Sequence, residues 1–304
     1  MVFLALACAL AVLPATEAAA APPPSLTVVT FNLFHGGPFS GLTGDDGDLE
    51  ARLQMAVEEL RALAPDIVGL QEASVSRRRG NVAARLAEAL GLHHVHAPAT
   101  RRLVGVPLLG RLLVWLLDFD EGPAILSRFP IAEWAIYDLP RCRRWLDPRV
   151  VLRATVVTPA GRLQVFSTHT SRAECQVTRV AEIVRTRQGG LPAILTADLN
   201  LPPESEAIAG LARHGLVDAF GTARAGATGP TVFQRIRSGD PTVSRRVDYV
   251  FVLPDPQRVV TVRRSRVILD RPKRLGDGYL WPSDHYGVVA ELVLGPGAGP
   301  TARP

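Results

Sequence analysis

The stretch Ala193-Ile194-Leu195-Thr196-Ala197-Asp198-Leu199-Asn200 is an apolar run of strand length that ends in two polar side chains. Its continuous apolar character is that of a strand covered on both faces. Asp198 and Asn200 are two residues apart, so both can face one cleft. Alone, Asp-x-Asn ahead of Pro202-Pro203 also reads as a plain turn. The arrangement recurs along the chain, however. Leu26–Phe31 delivers Asn32, Ile67–Leu70 delivers Gln71-Glu72, and Leu163–Thr168 delivers His169. Arg246-Val247-Asp248-Tyr249 and Ser283-Asp284-His285 follow near the end. Polar groups at the ends of water-avoiding strands are costly unless engaged, and sheet edges are where such groups converge on a pocket.

Helical patterns alternate with these strands. Asp48–Leu63, Asn81–Leu90 with Gly91 as a stop, and Pro203–His214 read as helices, and Ser171 is placed to cap a helix through Val177, Val180 and Val184. Ala124–Leu126, Ile131–Tyr137, Val150–Val157 and Leu163–Thr168 follow one another without helices, which implies antiparallel pairing. Mixed connections of this kind predict an α/β fold with two packed sheets and helices outside.

The strand ends suggest a division of labour. Glu72 with Asn32 offers the oxygen ligands that a hard cation such as magnesium prefers. Asp198 can orient or deprotonate water, and the Asn200 amide can donate to a phosphate oxygen. Asp248, in an apolar strand, needs a partner, and His285 needs an orienter. Arg77 follows Glu72 on a loop and Arg149 closes an arginine-rich stretch. Each reads either as a solvated residue or as a substrate-binding residue that guides an anion. His93, His94 and His96 have no cysteine or carboxylate nearby in sequence and read as an ordinary strand.

The ordered set Thr30-Phe31-Asn32, Gly69-Leu70-Gln71-Glu72, Ser167-Thr168-His169, Thr196-Ala197-Asp198-Leu199-Asn200, Arg246-Val247-Asp248-Tyr249 and Ser283-Asp284-His285 resembles the endonuclease/exonuclease/phosphatase superfamily, the DNase I-like fold. The resemblance implies a four-layer α/β sandwich of two mixed sheets flanked by helices. It implies hydrolysis of phosphate esters with magnesium, or manganese in its place. By position, Glu72 resembles the metal-binding glutamate, with Asn32 and Asp284 near the metal. Asp198 resembles the residue that aligns water, Asn200 the phosphate donor, and Asp248 and His285 an Asp–His pair. His169 resembles a second catalytic histidine, and Glu121 occupies the place of its supporting glutamate. The expected substrate is a phosphate ester in a lipid head group or in extracellular nucleic acid. A non-catalytic binding module on the same fold is the other class of reading.

The flanks carry their own signals. Residues 1–21, with the apolar run Val2–Leu13 and the alanines before Pro22, resemble a secretory signal peptide without its basic start. A Pro-rich spacer is expected over 22–26, the folded domain over 27–294 and a disordered Gly/Pro tail over 295–304. The expected destination is outside the cytoplasm, periplasmic or extracellular, with membrane association open. The net charge is +5, and Lys273 is the only lysine among 34 basic residues. That bias fits an arginine-rich codon usage as well as polyanion binding. Cys142 and Cys175 flank the hairpin around Thr158–Gly161 at similar offsets, which predicts a disulfide between them. The segment 103–119 is strongly apolar but is broken by Pro107 and Arg111 and is short for a span. It reads as a core or lid helix, or as an interfacial segment that touches lipid at the membrane periphery. No protein partner is implied, and a monomer is expected.

Overall fold

The computed structural model describes residues 25–35, 48–102, 107–142, 147–232, 235–255 and 258–296. The first sheet runs in the order β12 (Arg258–Ile268), β15 (Gly287–Pro296), β1 (Ser25–Asn32), β2 (Ile67–Ser76), β5 (Asp120–Ser127) and β4 (His93–His96). The short β3 (Gly80–Asn81) pairs with β2. The second sheet runs β10 (Val217–Asp218), β11 (Asp248–Leu253), β9 (Ala193–Asp198), β8 (Gly161–His169), β7 (Val150–Thr158) and β6 (Ile131–Asp138). β1–β2 and β8–β9 are parallel and their neighbours antiparallel, so both sheets are mixed. A separate ribbon pairs β13 (Lys273–Leu275) with β14 (Gly278–Leu280).

Alternation along each strand builds the layers. Val28, Ile67, Val165, Ile194 and Val250 meet between the two sheets. Their chain neighbours Val29 and Val68 turn outward to α1 (Leu49–Leu63) and α2 (Val82–Leu90), against Leu53, Leu60 and Leu86. Phe166, Leu195 and Phe251 turn outward on the other side to α4 (Glu174–Arg187) and α5 (Glu206–Arg213), against Val180, Val184 and Leu211. The result is helix, sheet, sheet, helix, with both faces of every central strand covered. α3 (Pro107–Leu117) and α6 (Ala219–Ala223) complete the helices, and a 3-10 turn at Thr100–Arg102 precedes α3. Among the described residues, no helix is long and apolar enough to cross a membrane.

Several expectations are adjusted. Ala124–Leu126 lies in β5, which pairs with β2 and β4 in the first sheet rather than with β6. The three strands β6, β7 and β8 do pair antiparallel in sequence. Ser171 does not cap α4, whose N-cap is Ala173 without a side-chain bond. The Ser171 N–H instead donates to Gln176 Oε1 and its hydroxyl to Asp147. Helix α5 starts at Glu206, because the Ser205 hydroxyl caps it. β1 begins at Ser25, inside the expected spacer, and β15 reaches Pro296, two residues into the expected tail. Residues 1–24 and 297–304 lie outside the described residues. Cys142 and Cys175 are joined, with their Cα atoms 6.7 Å apart.

Candidate active site

Register alone brings the polar strand ends to one level. Asp198 pairs with His169 across the parallel β8–β9 ladder and with Asp248 across the antiparallel β9–β11 ladder. Asn32 pairs with Gln71 at the end of β1–β2. Glu72 then departs from the ladder. Between Leu70 and Ala73 the β2–β5 pairing shifts, so Gln71 and Glu72 stand opposite Pro123 alone. Pro123 has no N–H to give the ladder. The bulge puts Glu72 at φ +52°, a conformation a glutamate rarely adopts and one that bulges beside functional sites favour. Asn200, at φ +54°, tolerates the same region more readily.

Across the sheets the strand ends interlock. The Asn32 amide donates from Nδ2 to Asp198 Oδ2 (2.9 Å) and to Glu72 Oε1 (3.2 Å). Asn32 Oδ1 accepts the Phe34 N–H at 2.9 Å. Asn32 therefore spaces the Glu72 and Asp198 carboxylates through its amide nitrogen. Asp198 Oδ1 accepts the Asn200 N–H at 3.0 Å, so both oxygens of this buried carboxylate are oriented. Burial pushes Asp198 up to about 7, with the Asp248 charge adding and His285 opposing.

His285 sits 2.9 Å from Asp248 Oδ2 through Nδ1, and its Nε2 lies 3.8 Å from Asp198 Oδ2. Burial alone would lower this imidazole. The Asp248 and Asp198 carboxylates reverse that and hold it well above its ordinary range. Backbone contacts seat the pair. The Ser283 hydroxyl donates to Asn32 O at 2.7 Å and accepts the His285 N–H at 3.1 Å, while Thr231 Oγ1 accepts the Asp248 N–H at 3.3 Å.

The second histidine differs from expectation. Arg149 Nη1 lies 2.7 Å from His169 Nδ1, and Arg149 is also ion-paired with Asp147 (2.7 Å) and Glu121 (3.5 Å). Arginine can only donate, so Nδ1 accepts and the ring proton belongs on Nε2. Nε2 faces Asn200 Nδ2 at 2.9 Å and Asp198 Oδ2 at 3.4 Å. Glu121 does not support His169; Arg149 stands between them. Burial, then the Arg149 charge, hold His169 well below its ordinary range. A neutral His169 of this kind is a positioning group, not an acid for a leaving oxygen. The same contacts make Arg149 a structural clamp instead of a substrate-binding residue. Arg77 is likewise committed elsewhere, to Asp118 at 2.9 Å.

These groups open onto a cavity of about 690 Å³. Glu72, His169, Asp198, Asn200, Asp284 and His285 line it, together with Arg172, Arg235, Arg245 and Asp240. The loops carrying the arginines give no strand-end signal in the sequence, so they escaped notice there. So did His35 and Arg52. His35 meets Glu72 Oε2 through its backbone N–H and its Nε2, both at 3.2 Å. Arg52 is buried and donates to the Leu33, Phe34 and Pro282 carbonyls, pinning the loop after β1 to the segment before His285. Its one sequence signal is a charge on the apolar stripe of α1, between Leu49 and Ala56.

The donor chemistry fits a divalent cation. Burial would raise the Glu72 carboxyl, but His35, His285 and the Asn32 amide hold it below the ordinary range. Removal from water pushes Asp284 up to about 6, with Glu72 adding. Carboxylates crowded at one cavity are what a hard cation relieves. Among the described residues, Asp198, Asp248 and His285 also group their ligand atoms within 4.8 Å. Asp248, however, is fully buried behind His285 and already holds it, so a cation there would displace that bond.

The Endonuclease/Exonuclease/phosphatase family model matches residues 29–285, a range that holds every strand end named above. The chain belongs to this family. Solved structures agree with that membership. An endonuclease/exonuclease/phosphatase from Beutenbergia cavernae is similar at 25% identity and a TM-score of 0.66, covering 91% of this chain and 73% of that one. A family protein from Bacteroides thetaiotaomicron has 23% identity and a TM-score of 0.66, covering 90% of this chain and 99% of its own. A mannosyl-6-phosphatase from the same organism has 22% identity and a TM-score of 0.66, over 88% and 99% of the two chains. No curated protein is significantly similar to this chain. As a member of the endonuclease/exonuclease/phosphatase family, the chain is a phosphoesterase-type hydrolase, and enzymes of this family typically use divalent metals.

Proposed function

We propose that this chain is an exported, magnesium-dependent phosphodiester hydrolase that acts on a phospholipid head group or, as a second substrate class, extracellular nucleic acid. One observation carries the reading: an oriented Asp198, a His285 held from behind by Asp248, and Glu72 meet at one cavity. The Cys142–Cys175 bond suits an oxidising compartment. Glu72 and Asp284 are the residues that would hold the cation, which when bound supplies charge neutralisation to the phosphoryl group. Manganese would serve the same oxygen ligands.

Asp198 is fixed through both oxygens and stands at about 7, so at neutral pH it is matched to orienting water and taking its proton. His285 presents Nε2 beside it while Asp248 keeps the ring charged. It binds a phosphoryl oxygen and stabilises the charge that builds there. Asn200, whose amide nitrogen donates to the Thr170 carbonyl at 2.9 Å, lines the cavity as the amide donor. Arg172, Arg235 and Arg245, which line the same cavity, favour an anionic, polar substrate part.

A hydrolysis panel of bis-p-nitrophenyl phosphate, anionic phospholipids, sphingomyelin, DNA and RNA, with magnesium and with chelator, tests the reading. Chelator-sensitive turnover of a diester supports it. Turnover that survives exhaustive chelation, or binding without turnover across the panel, sinks it. The second of those outcomes leaves the non-catalytic module in its place.

A further inference from the structure

Helix α3 is apolar on all sides: from Leu108 to Leu117 only Gly110 and Arg111 are not large apolar residues. A helix of that composition belongs inside a protein or a membrane. Here half of it meets water. Leu108, Leu109, Leu112, Trp115 and Leu116 are 48–76% exposed. They recur at the spacing of a single helix face. The opposite face is locked inward, because a Cβ on Gly110 would stand 1.8 Å from the Arg101 carbonyl oxygen. The helix therefore cannot roll to hide its outer leucines.

The rim of this face is basic. Arg111 on the helix and Arg78 on the β2–β3 turn are exposed, and the Arg77 guanidinium lies 5.7 Å over the Trp115 ring. Arg101 and Arg102 stand before the helix, paired with Asp120 (2.8 Å) and Asp138 (2.6 Å). Counting Asp118, five arginines meet three aspartates around the patch. A second copy docked face to face would set this rim against itself, whereas an anionic bilayer complements it.

We propose that α3 docks the protein on an anionic lipid surface. The leucines and Trp115 enter the head-group boundary, and the exposed Arg111 and Arg78 meet lipid phosphates. The proposal stands apart from the hydrolase reading, since it concerns adhesion and not turnover.

The test uses the full chain with vesicles of brominated phosphatidylcholine, with and without about 30% phosphatidylglycerol as the anionic component. Expected are quenching of tryptophan fluorescence on the anionic vesicles, loss of most of that quenching in Trp115→Phe, and roughly tenfold weaker binding in Leu112→Glu. Hydrolysis of soluble bis-p-nitrophenyl phosphate is expected to be unchanged in both variants, which separates this test from the hydrolase reading. Three results would overturn the proposal. One is no quenching on either vesicle. Another is quenching that persists undiminished in Trp115→Phe, which would place the contact elsewhere. The last is a dimer in light scattering that Leu112→Glu dissolves while vesicles leave Trp115 unquenched, which would assign the face to a second copy.

Discussion

His169 shows how one neighbour changes a residue's chemistry. A histidine at a strand end in a phosphoesterase reads as an acid, and with a glutamate behind it the reading strengthens. Burial reverses it, and Arg149 in the place of that glutamate adds to the effect, because a guanidinium 2.7 Å from Nδ1 opposes a second positive charge. Replacing Arg149 with methionine is expected to raise the His169 midpoint toward its ordinary 6.5, followed by histidine ring NMR across a pH titration. An unchanged midpoint would mean that burial alone sets it. His285 is the contrasting case, since its partners are two carboxylates. His285→Ala and Asp198→Ala are each expected to lower kcat by about 10²–10⁴-fold while the circular dichroism of the fold is kept. Near-wild-type turnover by either folded variant would remove it from the machinery. The sequence made the identities of these residues readable because buried strands rarely end in charge. It could not make Arg149 readable, since which of several arginines reaches His169 depends on how residues 147–149 cross the end of β8.

At the scale of elements, strand ends were readable because both faces of the central strands are covered, so their apolar runs are continuous and their ends abrupt. Pairing was less so. β5 follows β4 and α3 in the chain and looks like the start of the β6–β8 meander, yet it joins the other sheet. Nothing local in Ala124–Leu126 distinguishes the two sheets, since each offers the same apolar edge. The bulge at Glu72 was equally silent: its causes are Pro123 on the neighbouring strand and a register shift that only pairing reveals. The close approach of the two sheets leaves a sharper trace. A Cβ on Gly69 would lie 1.8 Å from Thr196 Oγ1 and 2.4 Å from Thr196 Cβ. Gly69→Ala should therefore cost about 1–3 kcal/mol by overpacking, read as a lower urea midpoint. In the double variant with Thr196→Gly the cost is expected to fall well short of the sum of the two single changes, because the clash is gone. Simple additivity would show that Gly69 serves some purpose other than admitting Thr196.

For the whole molecule, the site is a concentration of buried charge that the fold tolerates at some cost to its stability. Asp198 stands at about 7 against an ordinary 3.8 because it is out of water. Between those values the folded chain holds a proton that the unfolded chain has released. A carboxyl raised in this way contributes stability below about pH 4, and that contribution is lost as pH climbs through about 7. Asp284, raised to about 6, acts in the same direction over a narrower window. A cation bound at this cavity competes with those protons, so it is needed most where they have gone. Two thermal melts follow from this. In chelator, Asp198→Asn should melt progressively higher relative to the wild type as pH is raised from 5 to 8, because the amide carries no charge to bury. Added magnesium should raise the wild-type melting temperature more at pH 8 than at pH 5, and should do so less in Glu72→Gln. A gap between wild type and Asp198→Asn that stays constant with pH would mean that Asp198 is ionised throughout, and the water-aligning carboxylate would then need a different partner to take up its proton.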